Sequence, residues 1–183
     1  FYYNLKGGEI MKTNRVDQTL IRKTHPMWKT IDEMCYHSKN LYNYANFLIR
    51  DEFDTNKKYI PYRELNKEIR DNKIYKDCMS QPANCVLRVL DKNWKSFFVA
   101  NKDYEKNKQK YLGRPKFPKY LKSNGRFPWM IPNNACYLVK NELKFRIRKL
   151  QTFKWIINPK GRLIQVRFIP RGTCYVMEVV TEV

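Results

Sequence analysis

The spacing of apolar residues changes along the chain and divides it into a strand, a helical region and a region of strands. Residues 15–22, RVDQTLIR, alternate loosely between polar and apolar positions, which predicts a short strand. From Trp28 to Phe53 the apolar residues recur every three or four positions, which predicts a long amphipathic helix. From residue 142 onward the period falls to two, which is typical of strands.

Two more segments have helical spacing. IPYRELNKEIR, residues 60–70, has a proline at a favoured first-turn position and places Tyr62 and two aliphatic residues on one side. SQPANCVLRVLDKNWKSFF begins a helix at Ser80 or Gln81 with an apolar stripe that includes its aromatic residues. The charged residues 101–110 carry this helix into solvent or into a linker. We therefore expect three helices with one shared core.

The strands of the last third define the predicted fold class. ELKFRIRKL (142–150) alternates, FKWIIN follows it, and residues 161–180 form a hairpin that turns near residues 170–172. A strand, then helices, then strands is an α+β order. Because a lone N-terminal strand is not stable by itself, we expect it to pair with the later strands. The helices are then an insertion in a small β-barrel, after its first strand.

Charge is distributed unevenly over the 183 residues, whose formal net charge is +20. Residues 1–105 hold 19 basic and 14 acidic side chains, whereas residues 106–172 hold 18 basic side chains and one acid, Glu142. Positive charge concentrated in one contiguous third indicates a polyanionic partner, with counterion release from phosphate as the driving force. An anionic membrane is a weaker interpretation, because no stretch there is a basic amphipathic helix. No apolar run is long enough to cross a bilayer.

The segment YLGRPKFPKY, residues 111–120, joins the helical region to the strands. Its glycine and prolines predict a stiff extended loop, with Arg114, Lys116 and Lys119 facing nucleic acid. Lys122 and Arg126 continue the basic series. The aromatic residues of this region either stack on bases or pin the loop to the barrel, and they are Phe117, Tyr120, Phe127 and Trp129. The need for an anchor at a domain junction favours packing for Phe117.

A second basic surface is predicted on the strands. Lys144, Arg146 and Arg148 share one face of the predicted strand, about 6.6–7 Å apart, which is close to the spacing of phosphates along a nucleic-acid strand. Arg162 and Arg167 on the following hairpin widen this stripe. An exposed strand face with an ordinary role would carry mixed charges, and Glu142 is its one acid.

Residues for catalysis are not apparent in the sequence. It has no D-x-G or D-x-D at a strand end, no Walker loop and no G-x-S-x-G, and its acids lie beside lysines on predicted helix surfaces. The five cysteines include no C-x-x-C pair, which argues against a structural zinc site or a disulfide framework. An enzyme that cleaves nucleic acid would need converging carboxylates.

The first residues suggest a translated leader. The codons for KGGEIM can spell a purine-rich bacterial ribosome-binding site before a start codon, so we expect residues 1–10 to be read-through and Met11 to be the start. A native N-terminal extension is the alternative.

Several segments in order resemble the N-terminal half of TnpB, the OrfB-type transposon-encoded, RNA-guided DNA endonuclease family related to type V CRISPR effectors. The segments are RELNKEIRD, SQPANCVLRVLDKNWKSFF, GRPKFPKYLKSNGRF, IPNN and IQVRFIPRGTCYVMEVV. The most specific element is GRPKFP after the helix that contains WKSFF. The similarity runs from about Met11 to the last residue.

The resemblance implies a fold and a role. It implies an OB-like wedge domain made of residues 11–27 and 111–183, with a helical recognition domain, residues 28–110, inserted after the first strand. In such a system the protein binds a guide RNA, cradles the guide–target heteroduplex and reads a short motif in the adjacent duplex DNA, while base pairing supplies most sequence specificity. A bacterial cytoplasmic protein is expected, associated with the nucleoid when it is bound to DNA.

The resemblance also implies motif-reading positions. They are occupied here by Tyr62, Asn66, Ser80, Gln81, Asn84 and Asn133. Amide side chains suit base-edge recognition. Asn84 is equally suited to a polar position on a helix.

The family's RuvC nuclease domain, with its D-x-G strand and later carboxylates, would begin just beyond Val183, and neither it nor the zinc ribbon is in this sequence. We therefore expect a fragment, with a truncated relic as the alternative. The chain is not expected to be an enzyme on its own or to hold a cofactor, since Mg²⁺ belongs with the missing nuclease domain. A standalone DNA- or RNA-binding protein, such as a nuclease-dead repressor or an OB-type RNA binder, is the alternative function.

Overall fold

The computed structural model describes residues 12–183, so the expected leader at residues 1–10 lies outside the described residues. The described part is an α+β structure with helices between the first strand and the remaining ones. In chain order the elements are β1 Asn14–Ile21, α1 Trp28–Asn56, α2 Tyr62–Ile69, α3 Lys73–Cys78, α4 Ser80–Lys106, β2 Trp129–Pro132, β3 Cys136–Val139, β4 Glu142–Phe145, β5 Trp155–Ile156, β6 Arg162–Arg171 and β7 Cys174–Glu182. Short 3₁₀ turns lie at Lys108–Lys110 and Arg148–Leu150.

The first strand pairs with the last one, as expected from the instability of a lone strand. β1 runs antiparallel to β7 from Asn14 opposite Glu182 to Ile21 opposite Tyr175. β6 and β7 form the predicted hairpin, and Gly172 in its turn has a φ of 56°, a conformation that favours glycine. The strand order in this sheet is β1-β7-β6-β2.

The small β-barrel expected from the sequence is not closed in residues 12–183. β3, β4 and β5 form a separate three-stranded antiparallel sheet, and neither sheet closes. The physical reason is that β4 ends at Phe145 and β5 has only two residues, so too little ladder remains to join the sheets. The two sheets nevertheless share one hydrophobic core, in which Trp129 stacks on Phe168 at 5.5 Å between ring centroids.

The helices share a second core, as their periodicity predicts. Trp94 is fully buried at its centre, and the loop residue Phe117 packs on it at 5.2 Å between ring centroids. α1 connects the two cores, because Ile31 lies in the sheet core and Ile49 in the helical core. The predicted first and third helices correspond to α1 and α4; the second, α2, is followed by the short α3.

A polar stripe along α1 holds the loop of residues 118–123. Side chains spaced four, three and four residues apart lie on one face of a helix. Each member donates a hydrogen bond to a loop carbonyl: Lys39 to Ser123, Asn43 to Leu121, and both Asn46 and Arg50 to Pro118. Asn43 also accepts the Leu121 N–H at 2.8 Å. The loop is therefore fixed antiparallel to α1. We call these four side chains the α1 clamp.

Replacing Asn46 should destabilise both the helical core and the loop. Asn46 is fully buried, its Oδ1 accepts from the Trp94 indole at 2.9 Å, and its Nδ2 donates to Pro118 O at 2.9 Å. Asn46→Leu leaves the buried indole N–H without an acceptor, so the free energy of unfolding should fall by about 1–3 kcal/mol. Urea denaturation measures the change. Asn40→Leu is the control, because Asn40 makes no side-chain hydrogen bond within residues 12–183; equal stability of the two variants would contradict the prediction.

Candidate nucleic-acid interface

The clamped loop presents a row of cations to solvent. Lys116, Lys119 and Lys122 are exposed, and none forms an ion pair within residues 12–183. Because the α1 clamp binds carbonyls on one side of the loop, its lysine side chains are left available on the surface. Arg114 is exposed too, but it contacts Glu105 at 3.3 Å. We call the three lysines the lysine row.

Arg126, predicted to contact nucleic acid, is bound by the protein itself. Its Nε and one terminal nitrogen each donate to a carboxylate oxygen of Asp32 at 2.9 Å. The Tyr175 hydroxyl also donates to Asp32, at 2.6 Å, and the guanidinium lies 5.0 Å from the Tyr36 ring centroid. The group therefore joins the end of the loop to α1 and β7, and its charge is largely compensated by Asp32.

Lys144, Arg146 and Arg148 do not share a strand face, so that prediction is wrong. Lys144 alone lies in β4, and it pairs with Glu142 at 2.6 Å. Arg146 follows the strand and still donates its N–H to Ala135 O, whereas Arg148 begins a 3₁₀ turn. The ladder ends because this turn brings Leu150 back into the sheet core.

The sheet instead places an aromatic residue among these cations. Tyr137 lies directly opposite Lys144 in the β3–β4 register, it is 44% exposed, and the Arg146 guanidinium lies 5.5 Å from its ring centroid. We call Tyr137, Lys144 and Arg146 the tyrosine platform. An exposed ring with adjacent cations is the arrangement on which single-stranded bases stack. The sequence analysis missed Tyr137, because its proximity to Lys144 follows only from strand register.

Arg162 and Arg167 do not contribute uncompensated charge. Arg162 pairs with Glu182 at 3.2 Å, and Arg167 pairs with Glu178 at 2.6 Å. In both cases the partners face each other across the β6–β7 ladder. The two acids near the end of the chain thus neutralise the two arginines that were predicted to widen the basic stripe.

Three of the predicted motif-reading residues meet in one polar cluster. Asn84 Oδ1 accepts hydrogen bonds from Tyr62 Oη at 3.2 Å, from Asn66 Nδ2 at 2.6 Å and from Tyr75 Oη at 3.0 Å. α2 is positioned for this by Asp91, whose carboxylate accepts the backbone N–H of Tyr62 at 3.0 Å. Tyr75 was not among the predicted site residues. It lies on the buried side of α3, where its spacing is that of an ordinary core residue.

The other three predicted positions lie next to this cluster. The Ser80 carbonyl oxygen lies 3.4 Å from the Tyr75 hydroxyl, and Gln81 Oε1 accepts from Asn134 Nδ2 at 3.0 Å. Asn133 precedes Asn134 in the turn after β2 and contacts the carbonyl of Leu163 at 3.5 Å. The start of α4 therefore lies beside that turn. We call Tyr62, Asn66, Ser80, Gln81, Asn84 and Asn133 the amide surface.

Arg88 is a further residue of this region that the sequence analysis missed. It is exposed one helical turn after Asn84 on α4, and its guanidinium lies 5.0 Å from the Tyr62 ring centroid. The sequence could have predicted that Arg88 lies beside Asn84, because residues four apart on a helix share one face.

No family model matches the chain, and no curated protein matches it significantly.

In the part of the chain that the structure describes, no helix has both the length and the apolar character to cross a membrane. Residues 12–183 contain no group of three or more His, Cys, Asp or Glu side chains arranged to hold a metal ion.

The Asp32–Arg126 pair should make stability depend on pH. The hydrogen bond from Arg126 lowers the pKa of Asp32 below its ordinary value of 3.8; partial burial opposes this, and the Tyr175 hydroxyl adds to the lowering. A carboxyl with a lowered pKa in the folded state stabilises the protein fully above its unfolded pKa, and this is lost as the pH falls through the folded pKa. At neutral pH, Asp32→Asn should therefore reduce the free energy of unfolding by about 1.5–3 kcal/mol.

The difference between the wild type and Asp32→Asn should begin to shrink below about pH 4, where the carboxyl of the unfolded chain becomes protonated, and should be lost as the pH falls through the lower pKa of the folded carboxyl. Urea denaturation across that range measures it. Asp51→Asn serves as the control, because Asp51 is exposed and has no ion pair within the described residues. A difference that is constant with pH would count against a role for the charge.

Proposed function

We propose that this chain is the nucleic-acid-binding portion of a TnpB-type, transposon-encoded, RNA-guided DNA endonuclease. In this proposal the lysine row and the tyrosine platform bind guide RNA, and the amide surface contacts the target-adjacent DNA duplex. The observation that carries the proposal is the lysine row: three cations without ion pairs within residues 12–183, on a loop that side chains of α1 hold in place. Because the backbone of the loop is already ordered, only the lysine side chains have to be ordered when they replace counterions on phosphates.

The amide surface supports the DNA part of the proposal. Side chains of Asn and Gln recognise base edges through paired donors and acceptors, and Arg is the commonest partner of guanine. Here Asn84, Gln81 and Arg88 lie within two turns of α4, which begins beside the turn after β2. Duplex contact by this helix is consistent with its exposed polar face.

The proposal also divides the observed α+β structure into two domains. We infer that β1 and the two sheets form the wedge domain, and that α1–α4 form the inserted recognition domain. Two observations support this: β1 pairs with β7 across the insertion, and sheets and helices have separate hydrophobic clusters. In the proposed full-length protein, metal-dependent cleavage belongs to a nuclease domain, with which Mg²⁺ would bind.

The alternative function is a standalone DNA- or RNA-binding protein. The two proposals differ in the preferred RNA. A guide-binding protein should prefer RNA transcribed from the DNA that flanks its gene over unrelated RNA of equal length, whereas a general binder should bind both alike. A competition experiment with these two RNAs separates the proposals.

Reversing the charges of the lysine row should weaken RNA binding and flatten its salt dependence. If each lysine contacts one phosphate, Lys116→Glu, Lys119→Glu and Lys122→Glu together should reduce the slope of log affinity against log salt by about two on single-stranded RNA, at about 0.7 per contact. Fluorescence anisotropy over a salt series measures the slope.

A second triple variant controls for net charge. Lys29→Glu, Lys67→Glu and Lys92→Glu change the charge by the same amount at exposed lysines that also lack ion pairs within the described residues, outside the basic third. Its slope should stay close to that of the wild type. If the two triple variants behave alike, general electrostatics rather than a specific row explains binding.

The tyrosine platform should contribute base stacking. Tyr137→Ala should cost about 1–3 kcal/mol of binding free energy on single-stranded RNA, because base–aromatic stacking is worth that much. The fold should be unaffected, since the side chain is 44% exposed. Val139→Ala, an exposed residue two positions along the same strand, is the control. Equal affinity of Tyr137→Ala and Val139→Ala would remove Tyr137 from the interface.

A further inference from the structure

A groove with an aromatic floor opens beside the clamped loop. Its volume is about 640 Å³, and it is lined by Phe53 of α1, Phe97 and Phe98 of α4, and Phe117 of the loop. Ligand pockets of proteins commonly occupy about 300–1,000 Å³ and are lined mainly by apolar and aromatic side chains. We call this the phenylalanine groove.

The floor of the groove is held in place by packing. Phe117 lies 4.9 Å from Phe97 and 5.6 Å from Phe53 between ring centroids, and the buried Trp94 supports it from below at 5.2 Å. The α1 clamp binds the carbonyl of Pro118, the next residue after Phe117. The aromatic surface is therefore preorganised, and a ligand would not have to order it.

The rim of the groove is cationic. Arg114, Lys116 and Lys119 come from the loop, and Arg50 comes from α1. Lys116 and Lys119 have no ion pair within residues 12–183, so their charge is available to a ligand. Arg50 is held between two rings, 4.5 Å from the Tyr120 centroid and 5.7 Å from that of Phe117. A matching ligand combines a flat apolar group with adjacent negative charge.

We propose that the phenylalanine groove binds one unpaired nucleobase of a single-stranded nucleic acid, while Lys116 and Lys119 contact the phosphates on either side of it. This rests on the proposed function and adds a specific subsite to it. A nucleic acid fits better than an acidic peptide or a fatty acid, because cations continue beyond the groove to Lys122. The single carboxylate of a fatty acid would leave Lys122 without a partner, whereas successive phosphates of a nucleic-acid strand can contact Lys116, Lys119 and Lys122 in turn.

Conservative substitution of a floor residue provides the first test. Phe97→Leu keeps an apolar side chain but removes the flat ring, and it should weaken binding of an oligouridylate of about eight nucleotides by about fivefold or more. Phe127→Leu is the matched control, because Phe127 packs on the same helical core, 4.9 Å from Tyr42, and does not line the groove. Urea denaturation of both variants shows whether the effect on binding is separate from stability.

A fully paired RNA duplex of the same length distinguishes failure of the subsite from failure of the proposed function. Its bases cannot enter the groove, so Phe97→Leu and the wild type should bind it equally. If Phe97→Leu and Phe127→Leu bind oligouridylate alike, the groove is not a base site, although salt-dependent binding by the wild type would still support the proposed function. If the wild type binds neither RNA, the proposed function itself fails.

Crosslinking locates the base directly. An oligouridylate with one 5-iodouracil should crosslink on irradiation to an aromatic residue of the groove, and mass spectrometry of the peptides identifies the site. Crosslinks confined to Tyr137 would overturn the subsite and leave the tyrosine platform as the stacking surface. Binding of decanoate or an acidic peptide in competition with 8-anilinonaphthalene-1-sulfonate, without competition by oligouridylate, would also overturn it.

Discussion

The candidate interface depends on the hydrogen bonds that α1 makes to the carbonyls of residues 118–123. This loop contains proline, has no strand partner, and would lose about 1–2 kcal/mol per residue in backbone entropy on being ordered. The α1 clamp offsets that cost, and Asn46 joins it to the helical core by accepting from the Trp94 indole. The same helix face thus determines the packing of α4 and the path of the basic loop.

The basic residues divide into two classes that net charge does not distinguish. Arg126, Arg162 and Arg167 each bind a carboxylate, and they hold the loop end and the β6–β7 hairpin in place. The lysine row has no such partners within the described residues. An ion pair must be broken before a compensated arginine can bind a phosphate, so the uncompensated lysines are the better candidates for phosphate contact. Because they lie on one clamped loop, their positive charge is concentrated on one part of the surface.

Periodicity predicted the helices well because each buries a continuous apolar stripe, and the pairing of β1 followed from the instability of a lone strand. Periodicity failed at residues 142–150. Leu143, Phe145 and Ile147 are all buried while Arg146 and Arg148 are exposed, so alternate burial continues after the hydrogen-bonded ladder has ended. Burial alternates in any extended chain that lies on a core, with or without a neighbouring strand. Sequence alternation therefore located the buried residues and the start of the strand correctly, but it placed the end of the strand too late.

Contacts that depend on register or on side-chain pairing could not be predicted from one sequence. The proximity of Tyr137 to Lys144 requires the β3–β4 alignment, and the neutralisation of Arg167 requires that Glu178 lie opposite it. The phenylalanine groove requires residues from α1, α4 and the loop together. By contrast, Tyr62, Asn66 and Asn84 were named from the resemblance of short sequence segments to a family. The helices bring these three side chains together.

The hydrogen bonds of the amide surface restrict what it can recognise. Asn84 Oδ1 already accepts three hydrogen bonds, and Gln81 Oε1 accepts one from Asn134. The side-chain nitrogens, Asn84 Nδ2 and Gln81 Nε2, make no hydrogen bond within residues 12–183. Arg88 offers only donors. On the proposed function, Asn84 and Arg88 therefore present donors to DNA, and base edges rich in acceptors, such as N7 and O6 of guanine or O4 of thymine, are their natural partners. A cytosine amino group would find no acceptor at Asn84 or Arg88, and it would have to bind one of the side-chain oxygens of Asn66, Ser80 or Asn133, which accept no hydrogen bond within residues 12–183.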